Sequence, residues 1–304
     1  MPRLTRRQTL AATAALPLAA LAPAARAEAP MLGASFAQAR RFSIGGFEVT
    51  TLLAGTTPRE DPQSIFGMNV SAEEFAEVSA ANFLSTDVAQ FFFTPTIVNT
   101  GGELILFDTG LNAAGITGAL AAAGYTPDQV DIVVLTHMHG DHIGGLMQDG
   151  TPTFANARYV TGQVEYDHWA AAGNEGFDAN VRPLAEQMTF LSSGQDVAGG
   201  ITAVEAFGHT PGHMTFRLDS EGAGLMLFAD LANHPVWSLA RPDWEVRFDA
   251  DKSAAAASRR NILGMIAADR IPAVGYHMPF PAVGFVDTRE GGFHWVPEAG
   301  QLMG

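Results

Sequence analysis

Apolar residues along this chain fall in short blocks separated by Gly, Pro, Asn and Asp. FFFTPTIVN (91–99) and ELILF (103–107) predict strands joined by a Gly-Gly turn. Asp108-Thr109-Gly110 then ends a strand and opens a loop. Residues 112–123 are rich in alanine and predict a helix that stops at Gly124. DIVVLT (131–136) is short and β-branched, which predicts a buried strand. Further on, the pattern predicts strands at 158–161, 202–207, 214–218, 225–229 and 271–276, and helices at 163–172 and 252–268. Strands alternate with helices, and some strands adjoin as hairpins. The expectation is an α/β fold: a sandwich of two mixed sheets with helices on the outside.

The first residues break this pattern. A basic start, an apolar stretch and Ala25-Arg26-Ala27 follow the order of a signal peptide, and the pair Arg6-Arg7 points to the twin-arginine route. The expected mature domain is 28–304, periplasmic or secreted. No later stretch is long and apolar enough to span a membrane, so no stable membrane insertion is expected once the signal is removed. The chain carries a net charge of −15; losing residues 1–27 removes four arginines and no acid, which takes it to −19. Such a surface repels nucleic acid. It suits a neutral small-molecule ester better than a polyanion, and a homodimer is left open. The chain has no cysteine, so disulfides, thiol catalysis and thiolate-bound zinc are excluded.

LTHMHGDHIGG (135–145) packs His137, His139, Asp141 and His142 into six positions just after a predicted strand. In a tight loop, residues two apart can converge on one ion. Adjacent Asp141 and His142 must diverge and can serve a second. Imidazoles and carboxylates suit zinc, with Mn, Fe or Co as alternatives. Asp108, Asp230 and His277 also end apolar strands, and His213 lies in a Gly-Pro loop between two strands. Ligand sites in α/β architectures gather beyond strand ends.

These residues carry a resemblance. THMHGDH resembles the HxHxDH signature of the metallo-β-lactamase superfamily, and DTG before it, then GHTPGHM, FAD and YHMPFP after it, follow in the same order. The finer resemblance is to the methyl parathion hydrolase type, carried by HMHGDHIGGLM, FANA, GHTPGHMTF, FDADKSAAAASRR and HMPFPAVG. N-acyl homoserine lactonases are the neighbouring branch. The resemblance spans about residues 45–298 and implies the superfamily's αββα sandwich and two divalent metal ions. His137, His139 and His213 would hold the first ion, Asp141, His142 and His277 the second, and Asp230 would bridge. Asp141 and Asp230 are the implied catalytic groups, with Asp141 as ligand, general base or both.

Asp108 and His209 are expected just behind the ligands. The resemblance places Trp169 and Phe177 at the substrate pocket, and likens the loop containing Ile116 to a pocket wall. His234, Trp237 and Phe280 follow close on ligands and are further pocket candidates. Acyl homoserine lactonases carry a tyrosine shortly after the bridging aspartate; here the stretch is DLANHPVW, leaving Asn233 or His234 to offer a hydrogen bond instead. The expected activity is metal-dependent hydrolysis of an ester, lactone or phosphotriester by a metal-bridging hydroxide. A zinc β-lactamase would want a cysteine where Asp230 stands, and a glutathione-thioester hydrolase would want cationic groups.

Overall fold

Alternation along the strand Leu104–Phe107 turns Ile105 and Phe107 to one side and Leu104 and Leu106 to the other. The computed structural model shows what each side meets. It describes residues 29–289 and 291–302, so the expected leader, 1–27, lies outside the described residues. Residues 29–35 carry no helix or strand, and among the described residues the helices and strands fall within 36–302.

Two sheets of seven strands carry the architecture. The first contains, in spatial order, Ala39–Ile44, Phe47–Leu52, Thr96–Asn99, Leu104–Phe107, Ile132–Leu135, Arg158–Gly162 and Met188–Leu191. The second runs in sequence order from Asp196–Ala198 through Ile201–Glu205, Met214–Ser220, Ala223–Ala229, Pro272–Gly275 and Val283–Arg289 to Gly292–Pro297. Ile105, Phe107, Ile132 and Val134 of the first sheet share one apolar cluster with Ile201, Phe216, Leu218 and Leu227 of the second. The rings of Phe107 and Phe216 stand 5.1 Å apart across it. The sheets therefore pack face to face. Leu104, Leu106, Val133 and Leu135 form a second cluster with Ile116 and Leu120 of the helix Ala113–Ala123. The helix Lys252–Asp269 adds Ile262, Leu263 and Ile266 on the other side, beside Met226 and Phe228. The layers run helix, sheet, sheet, helix, as the sequence predicts. Each fully buried Leu, Ile or Phe contributes about 1.5–3 kcal/mol, so the many shared by these clusters outweigh any single polar contact. Among the described residues no helix is long and apolar enough to cross a membrane.

One predicted element divides. FFFTPTIVN is two strands: Val88–Phe93 pairs with Gly55–Glu60 in a separate two-stranded ribbon, while Thr96–Asn99 joins the first sheet. Pro95 has no N–H to give a ladder, and the chain changes partner there.

Strand polarity sets the site. Leu104–Phe107 and Ile132–Leu135 are parallel neighbours in one sheet, Ala223–Ala229 and Pro272–Gly275 in the other. Asp108, His137, Asp230 and His277 follow their C-terminal ends and so emerge at one edge of the sandwich. The loop 208–213 closes against the helix Gln163–Ala172. A Cβ on Gly212 would stand 2.2 Å from the backbone nitrogen of Glu165. Gly212→Ala should therefore cost about 1–3 kcal/mol through overpacking. A lowered urea midpoint at unchanged slope is the expected reading, and an unmoved midpoint contradicts this account.

Candidate metal centre

The histidine run leaves its strand at Thr136 and turns into the short helix Gly140–Ile143, which carries Asp141 and His142. Two groups of donor atoms result. In the first, His137 Nε2 lies 3.0 Å from His139 Nδ1, His139 Nδ1 lies 3.0 Å from His209 Nε2, and His209 Nε2 lies 3.2 Å from Asp230 Oδ2. The second comprises Asp141, His142 and His277; in each group the donor atoms lie within 4.8 Å of one another. Asp230 also reaches this second group: its Oδ1 is 3.2 Å from His142 Nε2 and its Oδ2 is 3.1 Å from His277 Nε2. One buried carboxylate thus touches both clusters.

His142, His277 and His209 are each oriented from behind. His142 Nδ1 meets Asp108 Oδ2 at 2.8 Å, and Asp108 also accepts from the Thr136 backbone N–H and hydroxyl. His277 Nδ1 donates to the carbonyl of Phe92 at 2.8 Å, with the Phe91 and Phe93 rings edge-on to it. His209 Nδ1 faces Asp249 Oδ1 at 3.0 Å, and Asp249 is ion-paired to the buried Arg259 at 2.8 Å. Tyr276 lays its ring on His142, 3.9 Å between centroids, and its hydroxyl donates to the carbonyl of Asp141. Asn233 Nδ2 donates to Asp230 Oδ2 at 2.8 Å. Such outer contacts fix tautomers and aim lone pairs.

Glu165 is a further support. Its fully buried carboxylate accepts from the Met138 N–H, inside the histidine run, and from the Trp169 indole N–H. It also accepts from the Thr210 hydroxyl and the Gly212 N–H, in the second histidine loop. One side chain ties together the two loops that supply His137, His139 and His209.

The donor set fits metal ions. Burial, together with neighbouring imidazoles, holds His137 well below its usual pKa and His139 at about 3, so both keep neutral lone pairs. Burial works against charge on Asp230, yet His277 and His142 beside it hold its carboxyl well below the usual range. Against burial, Asp230 and Asp249 pull His209 up to about 9, and Asp230 and Asp141 do the same for His277. The cluster attracts positive charge at the atoms that converge. His142 Nε2 and Asp230 Oδ1 are buried without a hydrogen-bond partner, although polar atoms inside proteins are ordinarily paired. Donors on a tetrahedral zinc at roughly 2.0–2.1 Å stand about 3.3 Å apart, close to the spacings found.

Several expectations need correction. His209, expected one layer out, is the loop histidine whose Nε2 converges. His213 Nδ1 is tied to the carbonyl of Ala206 at 3.1 Å, and its Nε2 accepts from the Asp230 N–H at 3.2 Å, so it stands behind the cluster. Ile116 and Phe177 are fully buried in the core outside the first sheet and do not line the cavity beside the cluster. Trp237 is buried among Phe66, Phe75 and Trp244 and donates to Ser79 Oγ. His234 stacks on Trp237 at 4.0 Å between centroids and caps the π-helical turn Pro235–Ala240; burial lowers it to about 3. Neither Asn233, engaged with Asp230, nor His234 is placed to assist a substrate. Phe280 is half-buried and off the pocket wall. Trp169 packs edge-on to His139, 5.7 Å between centroids, without lining the cavity.

The cavity beside the cluster has a volume of about 270 Å³. His139, Gly140, Asp141, Asp230 and His277 form its floor; Phe91, Phe93, Leu111, Phe248 and Arg59 form its walls. Phe91, Phe93 and Arg59 belong to the two-stranded ribbon; the sequence pattern merged Phe91 and Phe93 into the strand 91–99 and predicted no strand over Gly55–Glu60.

Comparison with known proteins agrees with this geometry. The model of the metallo-beta-lactamase superfamily matches residues 94–273. An N-acyl homoserine lactonase of Bacillus sp is 26% identical over 112 residues, 37% of this chain and 42% of that protein. An atrochrysone carboxyl ACP thioesterase of Aspergillus fumigatus is 31% identical over 131 residues, 42% of this chain and 27% of its own length. The chain thus spans less than half the length of these curated relatives. A solved structure of AidC, described as a dizinc quorum-quenching lactonase in complex with a product, superposes with a TM-score of 0.79 at 26% identity, covering 86% of this chain and 97% of that one. The hydrolase AbOPH has the same TM-score at 24% identity, covering 87% and 99%, which shows a shared fold.

Glu165→Gln tests the support. It sets an amide donor against N–H groups that now meet a carboxylate oxygen. Zinc affinity, read by competition with a chromophoric chelator, should fall about 10–100-fold. Unchanged affinity in a folded variant contradicts the assigned role.

Proposed function

Because the chain belongs to the metallo-beta-lactamase superfamily, we propose that it is a two-metal hydrolase of small esters or lactones. The observation that carries this is Asp230, whose carboxylate touches both donor groups at 3.1–3.2 Å. His137, His139, His209 and Asp230 would hold one ion; Asp141, His142 and His277, with Asp230 shared, would hold the other. Bound there, paired divalent ions make water a strong nucleophile near neutral pH and polarise the scissile oxygen. Zinc suits this nitrogen- and oxygen-rich set, and similarity to a dizinc lactonase supports it.

The protein's own groups do the rest. Among the described residues lining the cavity there is no Ser, Thr, Cys, Lys or Tyr, and its carboxylates and imidazoles would be engaged as metal ligands, which leaves water as the nucleophile. Asp141 stands half-buried at the floor, its carbonyl held by Tyr276, where its carboxylate orients the attacking water and accepts its hydrogen bond. Phe91, Phe93, Leu111 and Phe248 hold the apolar body of the substrate and exclude bulk water. The lactonase reading draws on the relatives; aryl esters and phosphotriesters rest on the sequence resemblance and on hydroxide attacking carbon or phosphorus alike.

A hydrolysis panel separates these substrates. Zinc-loaded protein is assayed on N-hexanoyl homoserine lactone, 4-nitrophenyl acetate and methyl parathion, before and after chelation. Turnover of the lactone or the aryl ester, lost on chelation and restored by zinc, is the expected result. Full activity after complete metal removal would sink the metal reading, and no turnover of any of the three would sink the hydrolase reading.

A further inference from the structure

Arg59 is the one Lys or Arg among the described residues lining the cavity. Its position derives from register. Arg59 pairs with Ala89, Thr57 with Phe91 and Gly55 with Phe93. Cross-strand partners share a face, so Arg59 projects from the face of the ribbon that carries Phe91 and Phe93. Those rings flank His277 at 5.4 and 5.6 Å.

Among the described residues, seven of the twelve arginines have an acidic partner: Arg40 with Glu298, Arg41 with Glu48, Arg158 with Glu103, Arg182 with Asp178, Arg217 with Asp269, Arg259 with Asp249 and Arg260 with Asp243. The side chain of Arg59 makes no hydrogen bond, ion pair or ring contact with any described residue. A solvated surface arginine would be as free, but it would not stand on a pocket wall opposite a cluster of catalytic donors. A free guanidinium presents a planar fork that matches a carboxylate. Phe91, Phe93, Leu111 and Phe248 line the same cavity, an apolar surface that suits a methylene spacer.

We propose that Arg59 selects an anionic substrate: an ester or lactone bearing a carboxylate, joined to the scissile carbonyl by a short apolar spacer. The proposal rests on the hydrolase reading above and changes the expected substrate from neutral to singly anionic. The net charge of the chain sets long-range repulsion, which salt screens; Arg59 acts at contact distance, where selection among bound esters is made.

The test compares mono-4-nitrophenyl glutarate with 4-nitrophenyl butyrate, whose acyl chains differ mainly by the distal carboxylate. The quantity read is the ratio of their kcat/KM values in the zinc-loaded wild type, Arg59→Gln and Arg59→Lys. The ratio should fall about tenfold in Arg59→Gln and by much less in Arg59→Lys, which keeps the charge. A ratio in Arg59→Gln within twofold of wild type overturns the proposal. Calorimetric titration of the zinc-loaded proteins with glutarate and with butyrate reads the same preference without turnover. If neither ester is cleaved, the calorimetric preference for glutarate, present in wild type and lost in Arg59→Gln, decides the role of Arg59, and the hydrolase reading stands or falls on the three-substrate panel above. Equal glutarate binding by both proteins overturns it.

Discussion

A carboxylate as buried as that of Asp230, 3% exposed, is costly to keep ionised unless positive charge surrounds it. The penalty for an unpaired ion in a protein interior is several kcal/mol. Here His142, His209 and His277 each approach an Asp230 oxygen within 3.2 Å, and His137 stands slightly farther, at 3.9 Å. The geometry around this carboxylate explains much of the rest. His142 needs Asp108 behind it, His209 needs Asp249 and Arg259, and His277 needs the carbonyl of Phe92. Each of these supports is buried and hydrogen-bonded, so the polar cluster continues outward until its charges are matched.

The sandwich makes this cluster tolerable by separating the tasks. Apolar strands fill the space between the sheets and beneath the helices, and polar residues appear where parallel strands end. Two such pairs, one in each sheet, deliver Asp108 and His137 from one side and Asp230 and His277 from the other. Loops then add what strands cannot reach. Glu165 fixes the distance between two of these loops, and the ribbon Gly55–Glu60 with Val88–Phe93 builds the wall over the metal-binding floor.

The sandwich layers, the strands that end in Asp108, His137, Asp230 and His277, and the density of donors at 137–142 were all legible in sequence, because apolar periodicity and the spacing of histidines are local. Core and pocket were not separable: Ile116, Phe177 and Trp237 are bulky apolar residues that pack as readily under a helix as around a substrate. His209 and His213 sit four residues apart in one Gly-Pro loop, and which of them turns inward depends on Asp249, forty residues away. Glu165 gave no signal, since a lone glutamate in a helix ordinarily faces water. Arg59 was hidden for a similar reason. Its ribbon exists only because Pro95 ends one strand and hands the chain to another sheet.

Asp230 stands where one carboxylate would be shared by two metal ions. Anomalous scattering from crystals of the zinc-loaded protein, collected on either side of the zinc edge, tests it directly. Two peaks per chain are expected, one beside His137, His139 and His209 and one beside Asp141, His142 and His277, with Asp230 between them. A single peak, or two peaks that leave Asp230 outside both coordination spheres, would contradict it.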